Sequence, residues 1–272
     1  MGSPRQEGER WNWPRLNARP SAALAPLLAR DYWGIAADAG PHRLLIPATA
    51  SVSLILKIDD TPHRPPAFLH GTHDRYAVME GDCAPSYLEI VMAPLGAYRL
   101  LGRPVAELGS GVVDLEAVYG ADARSVLAKV RDRVTWPARF AVVDAFLLRA
   151  SERGRRPSPE VGRAWQLLRG TGGRIPIRDV AADVGWSHKH LIAKFTAQVG
   201  LPPKAVARLT RFERVVARTR AGRVGRWSEV AADAGYADQS HLIREFREFA
   251  GTTPVGYLRN TSYPGVRTAS GS

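Results

Sequence analysis

Two short runs offer side chains that can read a base edge at the opening of a helix. His188-Lys189-His190 follows Ser187, and Gln239-Ser240-His241 follows Asp238, with Arg244 one turn further on. Serine and aspartate are strong N-caps, so each run should occupy the exposed first turn of its helix. Glutamine matches the adenine edge, and arginine matches guanine O6 and N7. The chemistry offered is hydrogen bonding in a DNA major groove. An ordinary solvated helix face is the alternative for each of these side chains.

The elements that must position them are written twice. Val180-Ala-Ala-Asp-Val-Gly-Trp186 returns as Val230-Ala-Ala-Asp-Ala-Gly-Tyr236. After one inserted residue, Leu191, Ile192, Phe195, Gly200 and Pro203 recur as Leu242, Ile243, Phe246, Gly251 and Pro254. A repeat this close means one supersecondary unit used twice. Each copy reads as a small-residue helix, a glycine turn and a second helix. Leu191 and Phe195, like Leu242 and Phe246, share a face at i, i+4 and should pack on the first helix of their own unit. A helix-turn-helix holds its second helix out toward DNA in this way.

The run Gly235-Tyr-Ala-Asp-Gln-Ser-His-Leu-Ile-Arg-Glu-Phe-Arg247, followed by Gly251-Thr-Thr-Pro-Val-Gly-Tyr257, resembles the signature of the AraC/XylS family of bacterial transcription regulators. The resemblance covers about residues 159–261. It implies two helix-turn-helix units in one chain, joined by a long helix and reading successive major grooves of double-stranded DNA. Helix geometry and the family pattern together make His188, Lys189 and His190 of the first unit, and Gln239, Ser240, His241 and Arg244 of the second, the candidate base readers. Ala193 stands where relatives often carry a long basic residue, so the first reader should be weaker or rely on Lys189. Arg178, Lys194, Arg226 and Arg247 are the candidate phosphate contacts, which position a protein without specifying sequence.

The joining helix follows from spacing alone. Leu201-Pro202-Pro203 starts it. Val206, Leu209, Phe212 and Val216 fall on one side, and Lys204, Arg208, Arg211, Arg214 and Arg218 on the other. Seventeen residues to Ala221 would span about 25 Å. Charge supports the same partner. Residues 158–260 carry 17 Lys and Arg against 9 Asp and Glu, a balance of +8 within the whole chain's +12. An excess concentrated there suits a polyanion.

The front half is different. At 272 residues, 45% apolar and 24% charged, the chain is long enough for two globular domains. Arg43–Ile46, Ser51–Ile58, Phe68–Gly71, Arg75–Met79 and Tyr87–Met92 read as strands of a small β-barrel or sandwich. Helices should follow at Ala97–Leu101, Ala123–Asp132 and Pro137–Glu152. The fold expected is therefore α+β: a β-barrel or sandwich with helices, then an all-α domain carrying both helix-turn-helix units. The expected divisions are a disordered arm at 1–20, a sensor or dimerisation domain at 21–152, a linker at 153–158, the DNA-binding domain at 159–261 and a tail at 262–272. Met92–Gly102 with Trp136-Pro-Ala-Arg-Phe140 resembles the sensor half of one subgroup of these regulators, in which small β-barrels precede helices that dimerise or dock.

An effector pocket in that half would draw on Phe68, His70, Arg75, Tyr76, Met79, Glu80 and Tyr87, of which at most half can face inward. A filled apolar core is the alternative. His63, His70, His73 and Cys83 are ligand types whose spacing fits no strong metal template, so no metal is expected. No catalytic or cofactor glycine motif occurs, and no cofactor or catalytic residue is expected. A fused DNA-repair methyltransferase would need more cysteines than Cys83. No run of eighteen apolar residues occurs and the start lacks a signal core, so a cytoplasmic protein with no membrane partner is expected. The reading is a sequence-specific transcription regulator, controlled by a small-molecule effector and open to a homodimer and to RNA polymerase as partners. The alternative is a constitutive regulator whose front half only dimerises or supports.

Overall fold

The computed structural model describes residues 15–36, 42–61, 64–81, 86–221 and 225–259. Among the described residues eight strands lie in the front half: β1 Arg15–Ala18, β2 Tyr32–Ile35, β3 His42–Ile46, β4 Val52–Lys57, β5 Ala67–His70, β6 Ala77–Gly81, β7 Tyr87–Met92 and β8 Val112–Asp114. Alternation drives the central ones: Val52, Leu54 and Leu56 are buried while Ser53 and Ile55 are only half so. Among the described residues the expected barrel is an open antiparallel sheet in the order β1-β2-β7-β4-β5-β8, with β3 and β6 as a separate ladder. Its edges, β1 and β8, are only four and three residues long, which limits stray pairing.

Residues 15–18 correct one expectation. They fall within the span read as a disordered arm, yet Arg15 through Ala18 pair with Ile35 through Tyr32. Arg-Leu-Asn-Ala alternates over only four residues, too short a run to read as a strand, and its order comes from backbone bonds to β2 with Ala18 packed against the front-half core. Residues 1–14 and 260–272, which include the expected tail, lie outside the described residues, as do His63 and Cys83.

Four helices join them among the described residues: α1 Pro94–Leu101, α2 Glu116–Tyr119, α3 Ala121–Asp132 and α4 Trp136–Arg153, with 3-10 turns at Ala25–Leu27 and Val105–Leu108. α1 starts three residues before the expected point because Pro94 suits a first helical position. Val126, Val130, Phe140, Val143 and Leu147 cover the sheet face formed by Leu54, Leu69, Leu88 and Ile90. The Tyr32 hydroxyl donates to Asp144 Oδ1 at 2.9 Å, tying β2 to α4. On the opposite sheet face Trp33, Ile35 and Phe68 are also buried.

The second half is helical: α5 Pro159–Gly170, α6 Ile177–Asp183, α7 His188–Val199, α8 Pro203–Arg220, α9 Trp227–Ala234, α10 Gln239–Ala250 and α11 Pro254–Arg259. α8 is the expected strut, about 27 Å long. The turn between halves is docked, since the Ser158 N–H donates to Gln198 Oε1 at 2.9 Å. The halves also share a core. Ala48 and Ala50 are buried within the helical cluster, and Leu45 and Leu95 pack against it.

Candidate nucleic-acid interface

Both units are built by the same local physics. α6 ends where the Trp186 N–H bonds Ala181 O and the Gly185 N–H bonds Ala182 O. α9 ends identically, with Tyr236 N–H on Ala231 O and Gly235 N–H on Ala232 O. This double bond closes a helix around a left-handed residue. Gly185 and Gly235 supply it, at φ +70° and +82°. The caps hold as expected: Ser187 Oγ accepts from His190 N–H at 3.3 Å, and Asp238 Oδ1 from His241 N–H at 2.7 Å. Leu191, Phe195, Leu242 and Phe246 are buried. The first turns of α7 and α10 therefore face outward.

On those turns His188, Lys189, His190, Gln239 and Ser240 are exposed, and so are Ala193 and Arg244 one turn further along. Two histidines are partly committed elsewhere. His190 packs edge-on against Trp186 at 4.7 Å and His241 against Tyr236 at 5.3 Å between ring centroids. Each clamps the aromatic residue of its turn. Lys189, Lys194, Arg244 and Arg247 are exposed and form no ion pair among the described residues, so their charge is free for a polyanion. Arg178 is exposed beside Asp179 at 3.3 Å, and Arg226 is exposed at the start of α9.

The basic stripe of α8 behaves differently from its sequence reading. Lys204 and Arg214 are exposed, but Arg208 donates to Glu245 Oε1 and Glu248 Oε2, both at 2.6 Å. Arg211 lies 3.6 Å from Glu245 and bonds Gly173 O at 3.1 Å. Arg218 pairs with Asp233. These arginines fasten α8 to the second unit and do not present a continuous surface for phosphate. Burial lowers the Arg208 proton affinity, but its bonds to Glu248 and Glu245 outweigh that and raise it. Burial and the nearby Glu245 push the Tyr236 hydroxyl far up. The missed signal was on α10: Glu245 and Glu248 sit where their carboxylates must turn inward to α8.

The front-half candidates divide between one sheet face and the β3–β6 side. Phe68 is buried, while His70 and Tyr87 are partly buried on the same sheet face, a register fixed by the pairs Ile55–Phe68 and Lys57–Tyr87. Met79 sits on the separate β3–β6 ladder. Arg75, Tyr76 and Glu80 are exposed. Tyr76 lies against Gly251, at the end of α10. Sequence reading missed Arg30, Trp33, Ser53 and Glu89, which meet on that same face. Arg30 stacks over Trp33 at 3.6 Å and pairs with Glu89 at 2.7 Å, and Ser53 Oγ donates to Glu89 at 3.4 Å. β2 carried no alternating pattern that could have pointed to it. Among the described residues no three His, Cys, Asp or Glu converge as metal ligands, and no helix is long and apolar enough to cross a membrane.

Residues 180–260 match a family described as a helix-turn-helix domain, and residues 16–114 match a domain of unknown function, DUF6597. No curated protein matches the chain. Among solved structures the chain is similar to the C-terminal domain of AraT, a response regulator from Geobacillus stearothermophilus, at 20% identity and TM-score 0.37, over 42% of this chain and 96% of that one. It is also similar to ToxT from Vibrio cholerae at 13% identity and TM-score 0.44, over 94% and 96%. A ToxT structure bound to (E)-4-(8-methylnaphthalen-1-yl)but-3-enoic acid matches at 12% and 0.44, over 90% and 94%. Twin helix-turn-helix units with exposed first turns define a DNA-binding transcription regulator. Its reading domain is the part of the chain that matches the helix-turn-helix domain, residues 180–260.

Proposed function

We propose that α7 and α10 both enter the major groove of one DNA duplex, each by its first turn. The carrying observation is that two copies of one unit each present an uncommitted cation on the outward face of the reading helix, Lys189 in the first turn of α7 and Arg244 one turn further along α10. Arg244, Gln239 and Ser240 read bases in the second unit, and Lys189 and His188 in the first. His190 and His241 contribute less, because each ring clamps its own turn. Arg178, Lys194, Arg226 and Arg247 hold phosphates.

In this reading the front half, about residues 21–152, binds a small-molecule effector and biases how the reading domain at 159–261 is presented. An effector can do so only by binding one of two states better than the other. The face bearing Trp33, Phe68, His70 and Glu89 supports that assignment more than the exposed Arg75, Tyr76 and Glu80. A second copy and RNA polymerase are the protein partners this reading admits. The chain then acts in the bacterial cytoplasm by binding, not by catalysis.

Selection of bound genomic fragments supplies an operator, and two substitutions then test the assignment. Arg244→Ala should lower operator affinity by about 1–3 kcal/mol and relax preference at one base. Arg247→Ala should weaken all sequences alike and reduce the salt slope by about 0.9. Identical behaviour of the two variants contradicts the division of roles.

A further inference from the structure

Both reading helices end on the same small piece of the front half. α7 stops at Gly200 and α10 at Gly251, each left-handed, at φ +89° and +70°. A Cβ on Gly200 would fall 2.5 Å from Thr72 Oγ1 and 2.9 Å from Val105 Cγ1. A Cβ on Gly251 would fall 3.0 Å from the Tyr76 ring. Thr72 and Tyr76 are four residues apart, a span of at most about 14 Å. The last carbonyls of a helix have no partner within it. In α10 two of them are satisfied from the front half: Ala48 N–H donates to Phe249 O at 2.8 Å, and Tyr76 N–H to Glu248 O at 3.2 Å.

The piece itself is stiff. Thr49 and His73 exchange two backbone hydrogen bonds, at 2.9 and 3.0 Å. The buried His73 ring lies 3.2 Å from Gly71 O and 3.1 Å from Pro47 O. Segments 47–50 and 71–76 thus form one brace, seated in the reading domain through the buried Ala48 and Ala50. α8 joins the two units and shares one core with both, on the side of the reading helices that faces it. The brace attaches both units a second time, at the ends of the helices remote from the turns that face outward.

We propose that this brace is a specificity determinant for DNA: it fixes the separation and relative rotation of α7 and α10, and hence which spacing between the two base-pair subsites is accepted. Thr72 and Tyr76 are its positioning residues and touch no base. The inference rests on the reading of both helices as base readers.

The test uses the full chain and a selected operator, with one to five base pairs inserted between the subsites. Each inserted pair adds about 3.4 Å and about 34°. The readout is the ratio of Kd for the lengthened operator to Kd for the native one, which cancels any loss of active protein. Wild type should lose about tenfold or more on insertion, the scale of a mismatched site. Thr72→Ala combined with Tyr76→Ala should lower that ratio to below about threefold, while Thr72→Val with Tyr76→Phe should keep the wild-type ratio. If the double alanine variant does not fold, each single alanine variant is measured, and its ratio should fall at least halfway on a logarithmic scale. An unchanged ratio in folded alanine variants overturns the brace. A wild type indifferent to spacing overturns the two-reader assignment instead.

Discussion

At the scale of single residues, chemistry is divided between side chains left free and side chains already committed. Lys189 and Arg244 are free, whereas Arg208 and Arg211 are fastened to Glu245. Residue type alone could not separate them, since all four are long cations on amphipathic helices. Glu245 is 3% exposed. Glu245→Ala should leave the two arginines short of a partner and cost about 1–3 kcal/mol in denaturant unfolding. Glu245→Gln should recover part of that, because one oxygen still accepts. His70 makes a second prediction. Burial above all, then His73 and Arg64, lowers its pKa to about 4. The unfolded state binds this proton first, so stability from a neutral His70 is present above about pH 6.5 and is lost as pH falls toward 4. His70→Gln should flatten the acid side of a melting-temperature profile between those values. A steeper slope in that variant contradicts the assignment.

At the scale of elements, the repeated helix-turn-helix was legible because every part of it is local. Capping by Ser187 and Asp238, left-handed glycine at 185 and 235, and the apolar pairs at i, i+4 all lie within about a dozen residues of each other in each unit. Ser187→Ala and Asp238→Ala should each lower stability by about 1 kcal/mol, measured by thermal melting. Gly235→Ala should cost a similar amount, since its φ of +82° strains any side chain. The strands β4 and β7 were equally legible, because alternation along them reports one buried face. β1, β2 and β8 were not. β2 is buried at all four positions and so shows no period of two, and β1 and β8 are ordered by the strands they join.

At the scale of the whole molecule, the two halves behave as one packed object. Ala48 and Ala50 sit in the helical core, Leu45 and Leu95 pack against it, and two hydrogen bonds cross to the end of α10. Shared cores unfold together when neither is complete without the other. Calorimetry of the full chain should therefore give one cooperative transition, and two separated transitions would contradict the shared core. Binding should also weaken steeply with salt, since +8 of net charge lies in residues 158–260. The slope of log K against log salt should be about 0.9 for each phosphate held.

The chain's own order of residues determined the twin reading units, the strut between them and their nucleic-acid partner, because short-range caps, turns and helical stripes specify those features without help. Only the folded chain decided which cations are spent inside, where the open sheet ends, and that Thr72 and Tyr76 reach the far ends of both reading helices. Those outcomes depend on pairings between separate elements, 37 positions apart for Arg208 and Glu245 and well over a hundred for Thr72 and Gly200. No local pattern encodes such a meeting, because it is set by how two cores close on each other.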